Sequence, residues 1–389
     1  MFVMEKKIPL GIYIHIPFCV HKCNYCDFLS FNTDEKEKKA YISALIDEIK
    51  GRRSRYGVAD VLYNLQTIYI GGGTPSCIDV HMTERILECI FDEFDIADPC
   101  NMEITIEVNP GTVTNEKLSA YKEYGINRLS IGLQSVNDNE LKALGRIHSF
   151  RDFVNVYRDA RDVGYKNINV DIMMAIPYQT MDSLMYSVDT IADMSPEHIS
   201  AYSLIIEEGT PFYEKYGTDE RRPVDEDTER MMYHETVRRL KKYGYSRYEI
   251  SNFAIPDHES RHNISYWKRR DYFGFGLGAS SFIGNIRYKN TSIFKDYVNH
   301  IPSEIPFEEK IKLTKRDRME EFMFLGLRMS EGVSANDFER EFGVSLISQY
   351  GREIKKFTDE GLLVKTGERF MLTDRGIDYG NHVFSGFLG

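Results

Sequence analysis

Six short runs rich in β-branched and aromatic residues recur at residues 11–16, 67–70, 102–108, 127–131, 167–172 and 198–203. The stretches between them carry helical periodicity. Ile42, Leu45, Ile46 and Ile49 fall at i, i+3, i+4 and i+7, and Ile86, Leu87, Ile90 and Phe94 keep a similar stripe. Such a stripe is one buried face of a helix. Phe153, Val154, Tyr157 and Ala160 mark a further helix, and residues 184–191 another. Thr114 stands as an N-cap, and Asn137 with Glu140 resembles a capping box. Strand–helix units in series predict a parallel sheet with helices outside, because parallel neighbours need a crossover between them. Right-handed crossovers wind such a sheet into a barrel or part of one.

The two faces of these strands differ. One set is apolar throughout: Ile12, Ile14 and Ile16; Ile68 and Ile70; Ile104, Ile106 and Val108; Leu129 and Ile131; Ile168, Val170 and Ile172; Ile199 and Ala201. With side chains alternating at period two, that set packs on the helices. The opposite set is polar or small: Tyr13 and His15; Thr67, Tyr69 and Gly71; Glu103, Thr105 and Glu107; Ser130, Gly132 and Gln134; Asn169 and Asp171; Ser200 and Tyr202. A closed eight-stranded barrel fills its lumen with Val, Ile and Leu. So many polar groups cannot line a dry core without losing partners. The pattern therefore predicts a splayed six-stranded barrel, a partial (β/α)6 fold, with a wet lumen that holds a ligand.

Residues 210–306 are less regular, with a helix at 227–243, an irregular loop at 262–267 and a glycine-rich stretch at 273–278. From residue 307 the pattern reads as three helices (316–329, 335–342, 346–360), two short strands (362–365, 369–372) and a last helix, the layout of a small winged-helix-like domain. In that domain acidic residues outnumber basic ones, and the whole chain has 49 Lys+Arg against 60 Asp+Glu, a net charge of −11. Nucleic-acid binding needs a clustered basic face, so no nucleic-acid partner is expected. Residues 1–10 lack the apolar run of a secretory signal and no stretch reaches the length of a membrane span. A cytoplasmic protein is expected, in which disulfides are rare.

Of six cysteines, Cys77, Cys89 and Cys100 are scattered, while Cys19, Cys23 and Cys26 form C-x3-C-x2-C just after the first strand. Three thiolates can hold three irons of a [4Fe–4S] cluster and leave the fourth without a protein ligand. That iron can chelate the amino and carboxylate groups of an amino acid such as S-adenosylmethionine. Reductive cleavage of the sulfonium would then release a 5′-deoxyadenosyl radical, with the hard chemistry carried by the cofactors. A structural zinc site, which wants four ligands, and unrelated free thiols are the competing readings.

Beyond the cysteines, Tyr13-Ile14-His15-Ile16-Pro17-Phe18-Cys19, then Gly71-Gly72-Gly73-Thr74-Pro75-Ser76, then Glu107-Val108-Asn109-Pro110 follow in order, each at the end of a predicted strand. Together they resemble the radical SAM superfamily, in the family that contains the oxygen-independent coproporphyrinogen III oxidase and the HemW-like heme chaperones. The resemblance spans nearly the whole chain. It implies a radical SAM barrel over residues 1–209, an irregular subdomain over 210–306 and the winged-helix-like domain over 307–389. The oxidase pattern carries a fourth cysteine two residues after the third, where this chain has Phe28. That difference favours the heme chaperones.

By the same resemblance, Tyr13, Tyr25, Gly72, Gly73, Thr74, Glu107, Gln134, Arg146, Asp171 and Ile205 match S-adenosylmethionine contact positions. Glycines there let backbone approach a ligand, Glu107 would pair with its ammonium, Arg146 would suit a carboxylate and Asp171 a ribose diol. His262-Asn263-Ile264-Ser265-Tyr266-Trp267 resembles the HNxxYW motif of the heme chaperones, which implies His262 as a heme ligand with Tyr266 and Trp267 packing on the porphyrin. The implied activity is heme binding and transfer to an acceptor apoprotein, with a low-potential electron donor for the cluster and a homodimer or a membrane protein contacted peripherally as settings. The enzyme alternatives are oxidative decarboxylation of coproporphyrinogen III propionates and radical methyl transfer. His15 is read as a hydrogen-bonded barrel histidine, Cys77, Cys89 and Cys100 as incidental thiols, and Met231-Met232-Tyr233 as core.

Overall fold

The computed structural model describes residues 7–58, 62–96, 98–300 and 304–389. Residues 1–6, on which part of the targeting argument rests, lie outside the described residues. The strand–helix series runs β1 (Ile8–Ile16), α1 (Glu35–Tyr56), β2 (Tyr63–Gly72), α2 (Val80–Glu93), β3 (Glu103–Val108), α3 (Asn115–Glu123), β4 (Arg128–Gln134), α4 (Asp138–Leu144), α5 (Phe150–Val163), β5 (Ile168–Met174), α6 (Met181–Asp193) and β6 (His198–Ser203). Neighbouring strands from β1 to β6 pair in parallel, in register such that Ile12 faces Ile68 and Ile106 faces Leu129. The apolar faces become one core: Ile12, Ile14, Ile68, Ile106, Leu129, Ile168 and Ile172 are at most 1 % exposed beneath the helices. Each strand points its polar set the other way, into the lumen.

Caps set the helix ends. Asp34 accepts the Glu37 N–H and Gly57, at φ 67°, ends α1. Thr114 caps α3 as expected, and Ser149 with Asp152 forms a full capping box at α5. Asn137 caps α4, but Glu140 does not return to its backbone. The Glu140 carboxylate is buried instead, accepting from Ser135, Ser183, Gln179 and the Asn137 side chain. A charge so deep is stabilised by donors that the local spacing could not show.

The middle segment is woven into the barrel. It contains α7 (Pro211–Tyr216), α8 (Glu226–Lys242), β7 (Ser246–Glu249), β8 (Asn252–Ala254), α9 (Arg261–Trp267), β9 (Tyr272–Phe275), β10 (Ser280–Ile283), β11 (Ile286–Asn290), α10 (Phe294–Asn299) and β12 (Phe307–Lys312). Among the described residues the sheet order is β12-β11-β10-β9-β1-β2-β3-β4-β5-β6-β8-β7. Thus β9 extends the sheet beside β1 in parallel, while β8 follows β6 antiparallel and β7 forms the far edge. Phe253, Phe273, Tyr288 and Tyr297 share the barrel's core. Met232 joins that core too, whereas Met231 faces out. At Gly274 a Cβ would fall 2.0 Å from the Ser280 carbonyl, so only glycine lets β9 turn back on β10.

The C-terminal part has its own core of Met323, Phe338, Ile354, Phe357 and Val383. It consists of α11 (Lys315–Gly326), β13 (Val333–Ser334), α12 (Ala335–Phe342), α13 (Leu346–Asp359), β14 (Leu363–Thr366), β15 (Arg369–Leu372), α14 (Asp374–Asp378) and α15 (Gly380–Ser385). The three short strands form a sheet in the order β13-β15-β14, the wing of a winged-helix-like unit. No helix among the described residues is long and apolar enough to cross a membrane.

Candidate functional site

The cysteine loop leaves β1 at the C-terminal end of the barrel, where active sites of such folds are built. Backbone bonds fix it: Cys19 N–H donates to the Phe31 carbonyl, and the Cys26 N–H closes a turn onto Cys23. Cys19 is buried while Cys23 and Cys26 are half-exposed, and all three line one cavity of about 480 Å³ that descends into the lumen. Burial pushes the Cys26 thiol up. Arg146 Nη1 lies 3.6 Å from Cys23 Sγ, a cation placed against a ligand that must be a thiolate to bind iron. Its Nε is buried without a partner. Among the described residues no three His, Cys, Asp or Glu side chains converge as a single-ion site. The thiols are presented along the cavity edge, not closed round one point.

The glycines of β2 border that edge. A Cβ on Gly73 would meet the Phe18 carbonyl at 2.7 Å and Cys19 Sγ at 3.0 Å, and Gly72 has φ 119°. The missing side chains keep a cradle open beside the sulfurs. Thr74 Oγ1 sits 3.4 Å from Cys19 Sγ. Across the cradle, Glu107 at the end of β3 accepts the Tyr69 hydroxyl at 2.9 Å and the Gly72 N–H at 3.1 Å. Burial pushes this carboxyl up to about 7. On β4 a bulge between Gly132 and Gln134 puts Gln134 at φ 79°, a left-handed conformation rare for a residue with a side chain. The bulge presents Gln134 to the cavity.

Nine of the ten residues expected to contact S-adenosylmethionine line this one cavity: Tyr25, Gly72, Gly73, Thr74, Glu107, Gln134, Arg146, Asp171 and Ile205. Tyr13 stands behind them, stacked on Tyr69 and bonded to His15 Nδ1 at 2.9 Å. His15 Nε2 donates to the Leu29 carbonyl, so this is a satisfied barrel histidine, its basicity lowered by burial. Asp171 accepts from Asn169 at 2.7 Å, and burial raises its pKa.

Residues 262–267 are a helix, α9, and not the expected loop. Ser260 caps it, and the Glu103 carboxylate accepts the Arg261 and His262 N–H groups at 3.0 Å. A buried acid at a helix N-terminus meets the free amides and the positive end of the dipole. The acid comes from β3, so local sequence could not reveal the helix. It forms the floor of the barrel. His262 is 1 % exposed, with Nδ1 2.8 Å from Thr67 Oγ1, Nε2 2.7 Å from the Tyr266 hydroxyl and its ring stacked on Tyr69. Burial and the Arg128 charge push its pKa down to about 3. Trp267 packs with Tyr248, Ile264 and Met329 under the Arg328 guanidinium, at the junction with the C-terminal domain. None of His262, Tyr266 and Trp267 lines the cavity, whereas Asn263 does.

Several cavity residues, Asn263 and Arg128 among them, carry no ligand role in the sequence reading. Asn263 is read within its motif as supplying loop hydrogen bonds, and the structure places it on the cavity wall instead. Arg128 begins β4 on the parity of Ser130 and Gly132, so period-two counting carried two residues further back finds it.

The radical SAM superfamily matches residues 13–191 and the HemN C-terminal domain family residues 313–379. A heme chaperone HemW of Lactococcus lactis is 37 % identical over 98 % of this chain and 97 % of its own length. The Bacillus subtilis protein of that name is 36 % identical over 97 % and 98 %, and the Escherichia coli one 30 % identical over 99 % and 100 %. The solved structure of coproporphyrinogen III oxidase (HemN) from Escherichia coli, a radical SAM enzyme, superposes with a TM-score of 0.84 at 22 % identity, covering 98 % of this chain and 90 % of that one.

Proposed function

This chain belongs to the HemW family of the radical SAM superfamily, and from that premise we propose that it is a heme chaperone. It binds heme, carries a [4Fe–4S] cluster with exchangeable S-adenosylmethionine, and passes heme to an acceptor protein in the cytoplasm. The observation that carries the cofactor half of this reading is the single cavity shared by three thiols, a glycine cradle and a buried acid. The heme half is supported by relatives of nearly full length that bear that name.

Cys19, Cys23 and Cys26 would hold the cluster, which with S-adenosylmethionine supplies one-electron cleavage of a sulfonium. The chain's own residues position and shield. Gly72 and Gly73 admit the ligand's backbone, Glu107 receives its ammonium, and Asp171 accepts from its ribose. Arg146 holds negative charge at the sulfur edge. For His262 to ligate heme iron, its Nε2 must leave the Tyr266 hydroxyl.

The competing reading is coproporphyrinogen III oxidation, which shares the fold. Phe28, 62 % exposed at the cavity mouth where the oxidase pattern has cysteine, favours the chaperone. Anaerobically reconstituted protein incubated with coproporphyrinogen III, S-adenosylmethionine and dithionite should give no protoporphyrinogen, while hemin should bind and move to an apo-hemoprotein. Clear turnover, or no hemin binding, would overturn the proposal.

A further inference from the structure

Among the described residues Arg128 is the largest fully buried side chain, 2 % exposed, and it lines the cavity at the start of β4. Gln134, beside the cysteine end, lies six residues along the same strand. At about 3.3 Å per residue Arg128 is therefore deep in the lumen. Among the described residues no hydrogen bond or ion pair reaches its side chain, and its Nε is orphaned. The acids that could neutralise it are engaged elsewhere. Glu103 holds the first turn of α9, Glu107 holds Tyr69 and Gly72, and Asp171, which feels the Arg128 charge only through space, spends its hydrogen bonds on Asn169 and Ser130. Asn169 and Ser200, which also line the cavity there, are bonded to each other. His198 and His262, whose basicity burial and this same cation push down, are neutral neighbours of the guanidinium.

A buried guanidinium with five donors and no acceptor is costly to fold. It persists where a ligand supplies the missing anion, and its planar fork suits a carboxylate. We propose that Arg128 is a carboxylate-recognition subsite at the blind end of the lumen, separate from the cluster end, so that the ligand enters with an acid side chain foremost. Resting on the heme reading above, that acid is a propionate. Asn263, which lines the same cavity with a side chain that makes no hydrogen bond among the described residues, offers a neutral donor to the same ligand.

The test uses the reconstituted full-length protein, with hemin and hemin dimethyl ester, whose propionates are masked, as probes. Wild type should bind hemin roughly tenfold or more tighter than the ester, the worth of one charge-assisted pair. Arg128→Gln should bind both alike, and Arg128→Lys should keep part of the difference. An equal hemin-to-ester ratio in wild type and Arg128→Gln overturns the subsite and leaves the chaperone reading standing. If wild type binds neither porphyrin, the chaperone reading fails. The subsite is then read from glutarate, which should raise the melting temperature of wild type and not of Arg128→Gln; equal shifts overturn it. Ligand-free Arg128→Gln should melt no lower than wild type, because it loses a buried charge that no bonded counter-ion holds. A clear fall would assign the guanidinium a structural role and overturn the proposal.

Discussion

The Glu107 carboxylate grips the Gly72 amide across two strands, Oε2 accepting that N–H at 3.1 Å. The contact fixes the acid over the glycine cradle and takes it out of bulk water, and burial raises its pKa from 4.5 to about 7. The sign follows. The folded protein holds this proton more tightly than the unfolded chain, so the group contributes stability below about pH 4.5 that is lost as pH rises towards 7. Binding an ammonium needs the ionised form. S-adenosylmethionine affinity should therefore rise between pH 6 and about 7.5, approaching tenfold per unit on the acid side, and then flatten. Glu107→Gln should bind more weakly with no such slope. Calorimetric titration across that range checks it, and a pH-independent wild-type affinity removes the ammonium role.

Cys19, Cys23 and Cys26 line the cavity, whereas Cys89 is buried on the inner face of α2 and Cys100 is exposed. Iron–sulfur binding should follow that division. Protein reconstituted without oxygen should show a broad band at ~400 nm and cluster EPR on reduction. The triple Cys→Ser variant of the loop should lose both, while Cys89→Ser and Cys100→Ser keep them. Retention of zinc, with no iron, in the wild-type protein would defeat the cluster reading.

What the sequence made legible was whatever repeats at short range. Period two separated the Ile-rich faces from the polar ones, and the sixth predicted barrel strand, 198–203, matches β6 to the residue. The cavity set was legible because three motifs each end a strand, and the barrel brings strand ends together. What escaped depends on partners far along the chain. The α9 helix needs Glu103, and Glu140 is a hub because Gln179 and Ser183 reach it. The strands β9 and β8 join a sheet whose edges no local pattern announces.

Glu48 on α1 is fully buried and binds four partners: Arg55 at 2.8 Å, Asn290 at 2.8 Å, the Gly276 N–H at 2.9 Å and the Tyr297 hydroxyl at 2.7 Å. This knot ties α1 to β11 and α10, holding the extra strands against the barrel. Glu48→Ala should destabilise by about 3–5 kcal/mol, because it strands the Arg55 charge, whose side chain is 2 % exposed. Replacing both Glu48 and Arg55 by Leu should recover much of that loss. Urea unfolding measures each. A Glu48→Ala cost within error of zero would show that the knot carries no strain when cut.

His262 decides how the barrel floor relates to heme. Its two ring nitrogens are taken by Thr67 and Tyr266, and with a pKa near 3 it stays neutral at every physiological pH. A neutral imidazole is the form that ligates iron, so the obstacle is the Tyr266 hydroxyl and not a proton. Tyr266→Phe removes that partner and should strengthen the hemin Soret shift. His262→Ala should abolish it and also cost about 2–4 kcal/mol, since it empties a packed site and leaves Thr67 and Tyr266 without a partner. The stability loss alone would fit a purely structural floor, so the discriminating measurement is the Soret band from pH 8 to 5. Ligation by this histidine should persist across that range, whereas ligation by an ordinary exposed histidine would fade below about pH 6.5. A Soret band that fades on that exposed-histidine curve, or survives intact in His262→Ala, moves the iron ligand elsewhere and leaves His262 as the strut between β2 and α9.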